Sequence, residues 1–216
     1  MKFCSISKLI KLREITMNVS TAIQERRAEK MFDPAFTISE QQVTDLLVKA
    51  MLSPTAFNIQ NWRIVNVKDP ALRQRIREVA WNQDKVTDAT LLFVLCADLN
   101  AWAKEPARYW AGAPQMYQDM LIPAIDAYYR DKPQVQRDEA MRSCGLLAMS
   151  IMLLAQEQGW HSCPMDGFDF DAVGKLINLP DDHVVSLMIA VGSRAQESFP
   201  RTGKLSLAEV LVENSF

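Results

Sequence analysis

Five cations stand where one phosphate could be gripped: Arg26, Arg27 and Lys30 in one short run, and Arg201 and Lys204 near the far end of a 216-residue chain. Guanidinium groups bind phosphate through paired, charge-assisted hydrogen bonds, and a dianion would cancel the repulsion among cations held together. The plainer reading is a solvated helix face, since Glu25 and Glu29 are interleaved with the basic residues.

A second constellation is Ser53-Pro-Thr-Ala-Phe-Asn-Ile-Gln-Asn-Trp62. Asn58 and Gln60 there offer amide donors and acceptors, which suit the edge of a planar heteroaromatic ring such as a flavin. An Asx turn with Trp62 in the core accounts for the same residues. The third is Pro164-Met-Asp-Gly167. Gly167 lets backbone amides approach a ligand closely and Pro164 fixes the entry angle, so amides could tune the electron affinity of a ring nitrogen. A plain turn capped by Asp166 is the alternative.

The elements that must position these segments follow from periodicity and caps. Asn18 or Ser20 caps a helix predicted to run through Val19, Ala22 and Ile23 into the charged run Glu25–Lys30. Ser39 with Gln42 makes a capping box, and Val43, Leu46, Leu47, Ala50 and Met51 follow at helical spacing. Trp62 to Val67 reads as a strand, Asp69-Pro70 starts a helix, and the apolar run Leu91 to Ala97 is a buried strand. Between Leu99 and Arg130 lie Trp102, Tyr109, Trp110, Tyr117, Tyr128 and Tyr129, broken by Pro106, Pro114 and Pro123. This segment covers a ligand or fills core.

Ser143 to Ala155 is apolar nearly all round, with Gly145 and Ala148 permitting close approach, and reads as a central buried helix. It is shorter than the roughly 20 residues of a bilayer span. Gly159 is its C-cap candidate, Pro164–Gly167 a turn, Asp171 to Ile177 a short helix, and Val184 to Val191 the last strand. Strands scattered among more numerous helices predict an α+β fold, with a sheet covered by helices.

Composition narrows the function. With 49% hydrophobic and 23% charged residues the chain is an ordinary globular protein. A net charge of −2 leaves no basic surplus to displace counterions from nucleic acid. Cys4, Cys96, Cys144 and Cys163 form no C-x-x-C pair and only His161 and His183 are present, so no metal site is expected and the thiols suit a reducing cytoplasm. Neither a G-x-G-x-x-G nor a P-loop appears. Residues 1–16 lack an apolar signal core and are expected to be an N-terminal extension, a loosely held arm, unless translation begins at Met17.

Taken in order, these segments resemble the FMN-dependent nitroreductase family. Arg26-Arg-Ala-Glu-Lys30 is similar to its opening R-R-S-x-R/K, Ser53–Trp62 to its S-P-S-x-x-N-x-Q-P-W, and Pro164–Gly167 to its P-x-E/D-G turn. The similarity runs from about Val19 to Val212, within one FMN-binding domain of residues 17–216. It implies a nitroreductase-like fold: a central mixed antiparallel sheet covered by helices, in an intertwined homodimer with FMN at the interface. Arg26, Arg27, Ala28 and Lys30 would then hold the phosphate, ribityl chain and pyrimidine edge, with Arg201 and Lys204 completing the phosphate site. Pro54, Thr55, Ala56 and Asn58 would come from the partner subunit. Asn82 and Gln83 would contact the ring, and Pro164, Met165, Asp166 and Gly167 would lie against its N5 side. Two departures stand out: Ala28 replaces a serine hydroxyl and Asn61 a proline.

The chemistry implied is ping-pong transfer of hydride from NAD(P)H through flavin N5 to nitroaromatic, quinone or similarly flat acceptors, with no side chain needed as general acid. Similar folds also dehalogenate aromatic rings or fragment flavin, and a non-catalytic FMN-binding module is the alternative from another class. Membrane and nucleic-acid partners are not expected.

Overall fold

The computed structural model describes residues 17–216, so the arm expected over residues 1–16, Cys4 included, lies outside the described residues. Four strands form one sheet: β1 (Trp62–Asn66), β2 (Leu91–Asp98), β3 (His161–Met165) and β4 (His183–Gly192), in the order β1-β2-β4-β3 and antiparallel at every pairing. The central strands β2 and β4 are covered on both faces, which is why they read as continuous apolar runs.

Pleating sorts their side chains between two layers. Leu91, Phe93, Leu95 and Ala97 pack with helices α2 (Glu40–Ala50) and α6 (Pro133–Glu157). Leu92, Val94 and Cys96 pack with α3 (Pro70–Glu78), α4 (Lys85–Asp88) and α7 (Phe170–Leu176). The α+β architecture expected from the sequence is therefore present. A third cluster, around Ile59, Ala101, Ile125 and Tyr129, lies under the aromatic segment. Its outer helix is α5 (Gln115–Tyr129).

Local chemistry sets most boundaries. The Asn18 side chain accepts from Thr21 N at 2.9 Å to start α1 (Val19–Glu25). Ser39 and Gln42 close a reciprocal capping box on α2, with bonds of 3.2 and 2.9 Å. Asp69 accepts from Ala71 N at 3.0 Å, with Pro70 in the first turn of α3. Gly159, with φ +72, follows the end of α6.

Four expectations need correction. Helix α1 does not continue to Lys30: Arg26 leaves the helical region with ψ 131. Ala28 instead bridges in parallel to Ser162, and Glu29 N donates to Ser162 O at 3.1 Å. Pairing against the edge of β3 takes up backbone groups that a continued helix would have bonded internally. Pro164 and Met165 end strand β3 and do not open a turn; β3 is an edge strand, where a missing N–H can be tolerated. Pro123 does not break the chain but sits inside α5, whose turn beyond it buries Ile125 and Tyr129. Finally, α6 is not buried all round, since Gly145 and Leu146 are exposed.

The chain closes with α8 (Leu207–Val210), and every residue from 201 to 216 is exposed. No helix among the described residues is long and apolar enough to cross a membrane.

Candidate functional site

Because the chain turns extended at Arg26, the basic run lies along the sheet edge and faces the segment that follows β4. One cleft is lined by Arg26, Arg27, Ala28 and Lys30 on one side and by Phe199 to Thr202 and Lys204 on the other. Among the described residues its lining holds five cations and no carboxylate. The two ends of the chain are tied there by Arg201, whose Nη2 donates to the carbonyls of Ile23, Gln24 and Arg26 at 2.8, 3.2 and 2.9 Å. Arg27 Nη1 donates to the carbonyls of Gln24 and Glu25 at 2.7 and 2.9 Å. Both guanidiniums thereby satisfy the C-terminal carbonyls of α1, an end favourable to positive charge.

Arg26 is different. Its Nη1 is buried and makes no hydrogen bond among the described residues. Burial, then the neighbouring Arg201 and Arg27 charges, pull its pKa below the ordinary arginine value. A buried, unpaired guanidinium nitrogen beside two like charges is costly unless an anion completes it. A phosphate group supplies what this donor set lacks.

A strip of backbone leads from the cleft to the other predicted segments. Ser162, bridged to Ala28, precedes Pro164, Met165, Asp166 and Gly167 in the chain. Met165 is buried, so its side chain belongs to the core and only its backbone can meet a ligand; Asp166 is exposed. Gln83 Nε2 donates to the Gly167 carbonyl at 2.9 Å and to Ala80 O at 3.1 Å. Asn82 is less available than expected, because its Oδ1 accepts from Arg77 Nε at 2.8 Å.

The Ser53 loop stands apart from the cleft in this chain. Ser53 Oγ shares a hydrogen with Ser150 Oγ at 2.6 Å, Asn58 Nδ2 donates to Tyr109 O at 2.9 Å, and Gln60 Nε2 donates to Asn58 O at 3.1 Å. Thr55 Oγ1 accepts from Gln60 N at 3.0 Å. Phe57, Asn58 and Gln60 all have positive φ, and the Phe57 ring lies 5.5 Å from that of Tyr128. Phe57 and Asn58 thus brace the loop on the aromatic segment, and Pro54, Thr55, Ala56 and Asn58 are not among the residues lining the cationic cleft.

Two features were not legible in advance. Trp81, exposed and with φ 51, lays its ring on Gly167; a β-carbon built there would stand 2.7 Å from its Cζ3. Its only sequence signal is its place just before Asn82-Gln83, outside any periodic pattern. The second is an ionic cluster at one end of the sheet. Buried Asp98 accepts from Arg63 Nη2 at 2.8 Å and from Lys104 Nζ at 2.9 and 3.0 Å. Lys104 also donates to Asp182 at 2.7 Å, and Asp182 Oδ1 lies 2.6 Å from His183 Nδ1. Asp98, Asp182 and His183 have metal-ligand chemistry, but the Lys104 ammonium and the Arg63 guanidinium together already neutralise the two carboxylates.

The Nitroreductase family model matches residues 23–193. Protein DrgA of Synechocystis is 45% identical over 182 residues, covering 84% of this chain and 87% of that protein. An NADH dehydrogenase of Thermus thermophilus is 30% identical over 200 residues, covering 91% and 96%. Among solved structures, a nitroreductase-like protein of Exiguobacterium sibiricum in complex with FMN superposes with a TM-score of 0.84 at 21% identity, over 91% of this chain and 97% of that one.

Proposed function

The chain belongs to the nitroreductase family, and from that premise we propose that it is an FMN-dependent oxidoreductase that takes electrons from NAD(P)H and delivers them to flat nitroaromatic, quinone or similar acceptors. The observation that carries the reading is the carboxylate-free cleft in which Arg26 keeps a buried, unpaired Nη1 between residues from both ends of the chain. Kinship with an NADH dehydrogenase and with a fold solved around FMN supports it.

Arg26, Arg27, Lys30, Arg201 and Lys204 would hold the phosphate, and Ala28, in extended backbone, would offer main-chain groups to the ribityl chain. Gln83 fixes the Gly167 carbonyl, so that the Pro164–Gly167 segment presents a defined backbone surface to the ring. When bound, FMN supplies the two-electron chemistry linking donor oxidation to acceptor reduction. The protein's own part is to position two flat molecules in turn and to place positive charge near the anionic reduced ring.

A homodimer completes this arrangement. The Ser53 loop, which offers Pro54, Thr55, Ala56 and Asn58, is braced away from its own chain's cleft and would serve a second copy. The surface suits such pairing: Gly145 and Leu146 lie open on α6, and the exposed C-terminal segment carries Leu205, Leu207, Val210 and Leu211. Exposed large apolar side chains in this number suit an interaction surface. A cytoplasmic, reducing location fits the unpaired thiols Cys96, Cys144 and Cys163.

The direct test is reconstitution. Purified protein incubated with FMN and desalted is expected to retain about one flavin per chain and to bleach on anaerobic addition of NADH or NADPH. A colourless protein with no NAD(P)H oxidation would refute the reading.

A further inference from the structure

Trp81 is 78% exposed, whereas the other four tryptophans are buried or half-buried. It is also conformationally costly: Trp81 and Asn82 both occupy the left-handed region, at φ 51 and 52. Residues with a β-carbon avoid that region, and such strain persists where surrounding contacts over-determine it and function uses it. Burial does not offset the cost here, because the indole is largely in solvent. Hydrogen bonds do hold it: Asn82 N donates to Arg77 O at 3.1 Å, Arg77 Nε to Asn82 Oδ1 at 2.8 Å, and Gln83 Nε2 to Gly167 O at 2.9 Å.

The indole's position is specific as well as fixed. Its six-membered ring rests on Gly167, where a β-carbon would approach Cζ3, Cε3 and Cη2 to 2.7, 2.9 and 3.1 Å. Only a residue without a side chain allows so close an approach. A rigid aromatic surface is therefore presented at the Pro164–Gly167 segment, which the functional reading assigns to the flavin ring. Flat rings pack favourably in offset stacks, and an exposed indole has apolar area to gain by being covered.

We propose that Trp81 is a specificity-determining residue, an aromatic shelf that stacks with planar aromatic acceptors entering beside Gly167. The inference rests on the FMN-oxidoreductase reading and adds the side chain that selects the acceptor's shape. It predicts a preference for flat ring acceptors over electron acceptors without a π face.

The test titrates FMN-loaded, oxidised protein with 1,4-naphthoquinone in the absence of reductant, following heat and flavin absorbance. Trp81→Ala is expected to raise the Kd about five- to tenfold and Trp81→Phe no more than about threefold. In turnover, Trp81→Ala should raise KM for the quinone and lower its kcat/KM relative to that for ferricyanide. Binding by Trp81→Ala within about twofold of wild type would overturn the proposal. So would loss of FMN or of the native oligomeric mass in that variant, since either would make the indole a structural support. If wild-type protein takes up no FMN, it is the underlying functional reading that falls, an outcome distinct from normal flavin uptake with unaltered quinone binding.

Discussion

At Arg26 the demands of folding and of binding oppose one another. Its buried Nη1 lacks a partner, and Arg201 and Arg27 repel it. Replacing it with glutamine removes a charge that folding alone does not need. Arg26→Gln is therefore expected to leave the thermal midpoint of the flavin-free protein unchanged or raised, while weakening FMN binding by about 1.5–3 kcal/mol, roughly ten- to a hundredfold in Kd. Fluorescence titration with FMN, alongside melting of the flavin-free protein, checks both signs. The cations could be singled out from residue type alone, because phosphate chemistry favours arginine wherever it occurs. Their arrangement could not: the helical spacing assigned to Arg26, Arg27 and Lys30 is absent, and a contact 175 residues away in sequence brings Arg201 to Arg26. Trp81 was illegible because its role in the fold is defined by Gly167, which local sequence does not reveal.

Elements whose ends are set by local hydrogen bonds, and strands written as apolar runs such as β2 and β4, are readable; segments held by backbone pairing without such a run are not. Asn18, Ser39 and Asp69 cap their helices as their types suggest, and Ser39→Ala should cost about 1 kcal/mol in urea unfolding by opening the capping box. The extended chain after α1 and strand β3 escaped because each exists by pairing with other segments, through Ala28 to Ser162 and through β3 to β4. The aromatic segment is likewise anchored by a distant partner. Lys104, just beyond its first turn, joins Asp98 at the end of β2 to Asp182 before β4. The hydrogen bond from Lys104, opposed by partial burial and aided by His183, holds the Asp182 pKa down at about 2.

A carboxyl whose folded pKa lies below its unfolded value of about 3.9 stabilises the fold above that value and loses the contribution as pH falls through the folded pKa. Lys104→Met should therefore destabilise the protein at neutral pH by about 1–3 kcal/mol, discounted from a fully buried pair because both Lys104 and Asp182 reach solvent. The gap between wild type and variant should narrow between about pH 4 and about pH 2, as followed by denaturant midpoints across that window. A gap that widened on acidification would show that Lys104 does not stabilise the Asp182 carboxylate.

For the whole molecule, the proposed homodimer turns on the apolar C-terminal segment. The segment from 201 to 216 touches solvent throughout, and its Leu205, Leu207, Val210 and Leu211 are more than half exposed. Deleting residues 205–216 spares Arg201 and Lys204 but removes this apolar arm. Analytical ultracentrifugation should find the full chain at twice its monomer mass and the shortened chain shifted toward monomer, with FMN retention falling in step. A monomeric full-length protein that keeps its flavin would contradict the shared site.

Arg201 ties its hydrogen bonds to the last carbonyls of a helix that the ribosome completes long before it reaches Arg201. The cationic cleft thus does not exist on a growing polypeptide until Arg201 itself has been synthesised and has cleared the exit tunnel. Cofactor loading must then follow synthesis, and arrested nascent chains ending before Arg201 should emerge without colour even where FMN is abundant.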